Sequence, residues 1–316
     1  MCLTLAAIVP AGVGGLGPHP APLRSYGAGL VRAAEVVRAD SDAAPGGGSI
    51  ILLHGHRTAR AVVLFHGFTN SPRQFRQLAA ALHRDGDNVF VPRLPAQGLA
   101  GATARTLSHL TATALRNAGD EAVDLACALG DTVVVLGISL GGDLAAWTTQ
   151  FRPEVRRAVV VAPALGLAHV PSFLATPVMN LALRLPNYSH VQPPDPLRPD
   201  RTLGWSTRAV GQMLLFGAAV QQAARSHAPA ARDIRLVLNA NDHTVSRRAI
   251  DELAGDWSAH GAVVRMYEFP TALKLRHDVI DPDEAGADTA VTYPVLRALI
   301  DGKAPPAGSV RRLTPN

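Results

Sequence analysis

Residues 132–136, TVVVL, narrow the architecture of this chain more than any other stretch. A strand with one face in water alternates apolar and polar residues. An unbroken apolar run is buried on both faces, as in a parallel sheet covered by helices on either side. The surrounding sequence fits that picture. Residues 49–53 and 61–65 read as strands, 72–84 as a helix with Pro72 in its first turn, and 88–91 as the next strand. A helical stretch over about 107–129 precedes TVVVL, and a helix over about 140–150 and a strand over 158–161 follow it. Strand, helix and strand resume at 234–238, 247–258 and 263–268, with a last helix over about 288–301. No internal repeat is present, so right-handed crossovers predict an α/β fold with one mostly parallel central sheet and helices on both faces.

The flanks and one internal stretch break the alternation. Residues 40–48, DSDAAPGGG, are turn chemistry, which makes 1–48 an N-terminal extension and linker. Between 163 and 230, prolines from Pro163 to Pro199 punctuate two apolar stretches, PSFLATPVMNLALRL and AVGQMLLFGAAV. They are expected to form a helical insertion that divides the core into 49–162 and 231–303. Residues 304–316 are expected to be a loose tail.

Composition excludes several classes. With 316 residues, 47% hydrophobic and 17% charged, the chain buries a substantial core and is not mainly disordered. Its net charge of +5 is spread without a basic block or interleaved aromatics, which argues against nucleic-acid binding. That charge is compatible with weak association with an anionic membrane surface. Cys2 and Cys127 make no disulfide framework and no C-x-x-C site, so no metal and no cofactor is expected. His54 and His56 lack further ligands at suitable spacing. No window holds the eighteen or more uninterrupted apolar residues of a spanning helix. Residues 1–17 are apolar apart from Thr4 but lack a basic n-region, so a frayed tail and a truncated export segment are both open, with a cytoplasmic location favoured.

In parallel sheets of this kind, chemistry sits where strands end. Directly after TVVVL stands Gly137-Ile138-Ser139-Leu140-Gly141-Gly142, a G-x-S-x-G pattern between a strand and a helix. Such a sharp turn holds its serine in a strained conformation with the hydroxyl projecting, and larger residues at Gly137 and Gly141 would collide across it. A serine hydroxyl needs a base and a carboxylate that orients the base. Asp242 lies on the loop after the 234–238 strand, and His277 on the loop after the last sheet strand. Asp143 lies inside the helix after the turn, and Asp278 and Asp281 stand too near His277 to serve it as well as Asp242 does. His243 adjoins Asp242 and is badly placed to lie between it and Ser139. Two backbone amides must face the developing oxyanion. Leu140 supplies one at a helix start, and Phe68, in His66-Gly67-Phe68-Thr69-Asn70, is the candidate for the other. His66 and Gly67 are then loop supports.

On these residues the chain resembles the α/β-hydrolase superfamily, and within it the monoacylglycerol lipase and bacterial carboxylesterase group, over about residues 50–301. The matching features are His66-Gly67-Phe68, the Gly137–Gly142 turn, Asp242 with Thr244-Val245 behind it, His277, and the order Ser, Asp, His. The resemblance implies a serine hydrolase that forms an acyl-enzyme, with residues 163–230 in the place of a cap or lid. Two departures stand out. Where many relatives carry Gly-His-Gly, this chain reads Arg93-Leu94-Pro95-Ala96-Gln97-Gly98, and Asp278 follows the histidine, either raising its pKa or facing solvent. The expected substrate is a carboxylic ester or lipid with a short- to medium-length acyl chain. Phe173, Leu174, Val178, Met179, Leu181, Leu183, Met213, Leu214, Leu215 and Phe216 supply apolar surface in the insertion. Amide, peptide or lactone cleavage and acyl transfer use the same residues. A dehalogenase would need Asp in place of Ser139, and a binding protein on this fold is the non-enzymatic alternative.

Overall fold

The computed structural model describes residues 12–193 and 195–314. In chain order the strands are β1 (Ile50–Leu52), β2 (Thr58–Phe65), β3 (Asn88–Val91), β4 (Gly130–Ile138), β5 (Val155–Val161), β6 (Ser189–Val191), β7 (Gly204–Ser206), β8 (Asp233–Asn239), β9 (Val263–Phe269) and β10 (Arg311–Leu313). The helices are α1 (Tyr26–Ala39), α2 (Arg76–Arg84), α3 (Ala112–Leu129), α4 (Leu140–Phe151), α5 (Ser172–Arg184), α6 (Thr207–Ser226), α7 (Arg247–Ala259) and α8 (Thr289–Ile300). Eight strands make one sheet in the order β1-β3-β2-β4-β5-β8-β9-β10, parallel except for β1 and β10 at its two edges. The alternation read in the sequence is therefore the architecture, with helices on both faces. α2 and α8 lie together, joined by Arg297 and Asp85, while α1, α3, α4, α6 and α7 form a contiguous layer opposite.

TVVVL occupies the middle of β4, the central strand, and Val133 to Leu136 are buried between both helical layers. β2 runs on to β3 on one side of β4, and β4 to β5 on the other. The order reverses between β2 and β4, and a crevice opens at the carboxyl ends of those two strands.

Two expectations about the flanks and the insertion need correction. First, 163–230 is not one insertion, because α6 belongs to the core layer. Phe216, Val220 and Ala224 are fully buried, and Phe216 stacks on Trp147 of α4 with ring centroids 6.2 Å apart. The physical reason is topological: β5 and β8 are parallel neighbours, and their connection must return across a sheet face as a helix. Only the stretch before α6, with α5 and the β6–β7 hairpin, lies outside that layer. Second, 304–316 is not loose as far as it is described: β10 pairs antiparallel with β9, and Arg311 meets the buried Glu268. The extension is bound to the core over 12–48. Trp147 Nε1 donates to the Leu16 carbonyl at 2.8 Å, and Arg93 pairs with Asp40 at 2.7 Å. The apolar residues 1–11 lie outside the described residues. No described helix is long and apolar enough to cross a membrane.

Candidate active site

Ser139 stands between β4 and α4 with φ 58° and ψ −120°, a left-handed conformation that costs a non-glycine residue on the order of 1–3 kcal/mol. The surroundings hold it there. The Ser139 amide donates to the Val161 carbonyl at 3.1 Å, and its carbonyl accepts from Asp143 and Ala164. A Cβ on Gly137 would come within 1.9 Å of the Gly141 carbonyl oxygen, and one on Gly141 within 1.9 Å of the Phe65 carbonyl oxygen. Both glycines are thus required by the close approach of backbone to backbone.

Asp242 and His277 meet. His277 Nδ1 lies 2.7 Å from Asp242 Oδ2, and Asp242 Oδ1 accepts from the Thr244 amide at 2.8 Å. Burial is the largest influence on Asp242 and pushes its pKa up. The hydrogen bond and charge of His277, with the Thr244 and Val245 amides, outweigh it and hold the carboxyl below its ordinary value. Asn239, at the end of β8, donates to the carbonyls of Leu275 and Arg276 at 3.0 and 2.8 Å and so fixes the histidine loop to the aspartate strand. His277 Nε2 is enclosed without a hydrogen-bond partner, and no bond joins it to Ser139 Oγ. Both side chains line one cavity.

The loop after β2 is drawn against Ser139: a Cβ on Gly67 would stand 3.7 Å from that of Ser139. Its Gly67 amide donates to Gln74 Oε1 at 2.8 Å, while the Phe68 amide makes no hydrogen bond among the described residues. Thr69, with φ 65°, completes the strained turn. Leu140 begins α4, where amides have no helical acceptor. Asp278 turns away from His277: its Oδ2 accepts from Gln74 Nε2 at 2.7 Å, and its Oδ1 from the Ile280 and Asp281 amides. Gln74 therefore joins the Gly67 loop to the residue after His277. His66 is fully buried and supports the same loop. It accepts the Leu94 amide at Nε2 and contacts the Gly67 carbonyl through Nδ1, each at 3.0 Å. Burial pulls its pKa down from 6.5 to about 4, so the ring is neutral. The altered Arg93–Gly98 loop thus stays tied to the site through Leu94.

Of the rival carboxylates, Asp143 is fully buried with both oxygens unpartnered, and burial raises its pKa well above the ordinary range. It lies inside α4 and does not meet His277. Asp281 pairs with the buried Arg198 at 2.9 Å. Arg198 also faces Asp200, which accepts from Ser71 Oγ at 2.7 Å, and the Thr202 amide donates to the Thr69 carbonyl. This buried polar set ties the stretch around 198–202 to both loops that flank Ser139.

The cavity holds about 540 Å³. Of the ten apolar residues singled out in the insertion, Met213 alone reaches this cavity, and Phe173 and Leu174 face solvent. Leu167, Leu203, Trp205 and Val210 supply apolar lining instead. Leu167 could have been found by reading onward from the end of β5. Asn239, Gln74 and Arg198 carry no sequence signal, because each reaches across the chain to a distant partner, Asn239 to Leu275 and Arg276, Gln74 to Asp278 and Arg198 to Asp281. Among the described residues no group of three His, Cys, Asp or Glu side chains could hold a metal ion.

A family model for the alpha/beta hydrolase family matches residues 62–301. No curated protein matches the chain in sequence. Among solved structures, a protein of the metagenome-derived lipolytic pair LipS and LipT is 18% identical over 82% of this chain and 99% of its own, with a TM-score of 0.59. The monoacylglycerol lipase of Paleococcus ferrophilus is 17% identical over 80% and 96%, also at 0.59. A soluble variant of the monoglyceride lipase of Saccharomyces cerevisiae, in complex with a substrate analog, is 14% identical over 81% and 90%, again at 0.59.

Proposed function

The chain belongs to the alpha/beta hydrolase family, and from that premise we propose that it is a serine hydrolase that cleaves carboxylic esters of short- to medium-chain acids through an acyl-enzyme on Ser139. One observation carries the reading. The Asp242–His277 pair at 2.7 Å leaves Nε2 without a partner on the wall of the cavity that holds Ser139 at its strained turn. The lipases and esterases of similar fold support the choice of an ester.

His277 takes the Ser139 proton at Nε2 as Oγ attacks the ester carbonyl, while Asp242 holds the imidazole in the tautomer with its proton on Nδ1 and stabilises the cation that forms. The Phe68 and Leu140 amides receive the oxyanion. The carbon–oxygen bond to the alcohol then breaks, and His277 returns its proton to the departing alcohol oxygen. Water attacks the acyl-enzyme by the same proton path and releases the acid. The mixed lining of the cavity, apolar from Leu167, Val210 and Met213, suits an acyl chain.

The test is hydrolysis of p-nitrophenyl esters of increasing acyl length by the parent and Ser139→Ala. The variant is expected to lose about a millionfold in kcat. A fluorophosphonate probe should label the parent and leave the variant untouched. A parent that neither turns over esters nor takes the label is a binding protein, and the proposal is wrong.

A further inference from the structure

Resting on that reading, we propose that the leaving alcohol of the natural ester carries an anion, a phosphate or a carboxylate, received by Lys274, Arg276 and His243. A second depression of about 590 Å³ lies beside the acyl cavity and shares Arg201, Thr244 and His277 with it. The two therefore meet at the imidazole that hands a proton to the departing oxygen. With the acyl chain in the first, the alcohol occupies the second.

The charges of this second depression are unequal in their pairing. Its carboxylates are already engaged: Glu284 pairs with Arg201 at 2.9 Å, and Asp278 is held by Gln74 and two backbone amides. Lys274, Arg276 and His243 are exposed and have neither an ion pair nor a side-chain hydrogen bond among the described residues. With Glu284 paired to Arg201, two unpaired cations, Lys274 and Arg276, stand against the single carboxylate Asp278, which leaves a net positive field at the position of the alcohol.

Lys274 adds an independent point. It is one of two lysines in a chain whose other cations are arginines, and it stands at φ 51°, a conformation that favours glycine or asparagine. The backbone thus gives no reason for lysine there, whereas a compact, mobile ammonium on the alcohol side does.

Three matched esters test this: 1-butyrylglycerol, 1-butyrylglycerol 3-phosphate and 3-butyryloxypropanoate. The quantity read is kcat/KM for each anionic ester divided by that for the neutral one. The better anion is expected to reach a ratio of roughly ten near 20 mM salt and to decline toward one as salt screens the charges. Whichever anion gives the larger ratio identifies the group. Lys274→Ala/Arg276→Ala should bring the ratio near one, and the double glutamate variant below it. A parent ratio near one with both anions, or a ratio that survives in the double alanine variant, overturns the proposal while leaving the esterase reading intact. Failure to hydrolyse any of the three, with no fluorophosphonate labelling, sinks both together.

Discussion

At the scale of single residues, His66 carries a consequence for pH. Its ring accepts one backbone amide and contacts one backbone carbonyl inside a site with no exposure. Burial, opposed by the Gly67 carbonyl, lowers its folded pKa from 6.5 to about 4. The unfolded chain therefore binds a proton at this residue before the folded chain does. The stability of the neutral ring is complete above pH 6.5 and is lost as pH falls toward 4, by about 3 kcal/mol in all. Urea denaturation at pH 7 and pH 4.5 reads this directly. Gln can accept the Leu94 amide without titrating, so His66→Gln should lose less stability over the same interval. Equal losses in parent and variant would remove His66 as the source of the acid sensitivity.

Elements impose a second level of control, because the residues that act together arrive on separate loops. The short turn of 72–75 before α2 carries Gln74, which is buried and joins the Gly67 amide to Asp278. Gln74→Leu deprives the Gly67 amide and Asp278 Oδ2 of this partner and removes one of the ties between the Phe68 loop and the histidine loop. Misplacement by about 1 Å at such a site costs on the order of a hundredfold, so kcat should fall by about ten- to a hundredfold with KM little changed. Steady-state kinetics on a p-nitrophenyl ester check this, and an unchanged kcat would show that the two loops hold their places alone. This coupling also explains what was legible in the sequence. The serine turn was readable because steric necessity fixes it within five residues, from Gly137 to Gly141. Asp242 and His277 were singled out by their places after strands and by their order, and their side chains meet at 2.7 Å. Gln74, Asn239 and Arg198 were not, because a hydrogen bond to a partner tens to hundreds of residues away leaves no periodicity. The same holds for β10, three residues whose strand exists only because β9 offers an open edge, and for α6, whose apolar residues read equally well as an insertion or a crossover.

Over the whole molecule, stability is shared between the sheet and a segment that wraps it from the amino-terminal side. Leu16 is buried, and its carbonyl accepts a hydrogen bond from Trp147 Nε1, a fully buried indole in α4. The His19 and Ala21 amides donate to Asp120 and Asp124, the carboxylates that also hold the buried Arg152 at 2.7 and 2.5 Å. The extension and the core thus share one polar network. Deleting residues 1–24 spares Ser25, which caps α1, and removes these contacts. Exposing Leu16's site costs about 2 kcal/mol, and the orphaned indole adds a penalty of roughly 1 kcal/mol or more. The truncated chain should unfold at clearly lower denaturant than the parent, while its folded fraction keeps fluorophosphonate labelling, since Ser139, Asp242 and His277 lie outside the network. A truncation that unfolds at the parent's midpoint would mean that α4 and its indole are held by the sheet alone.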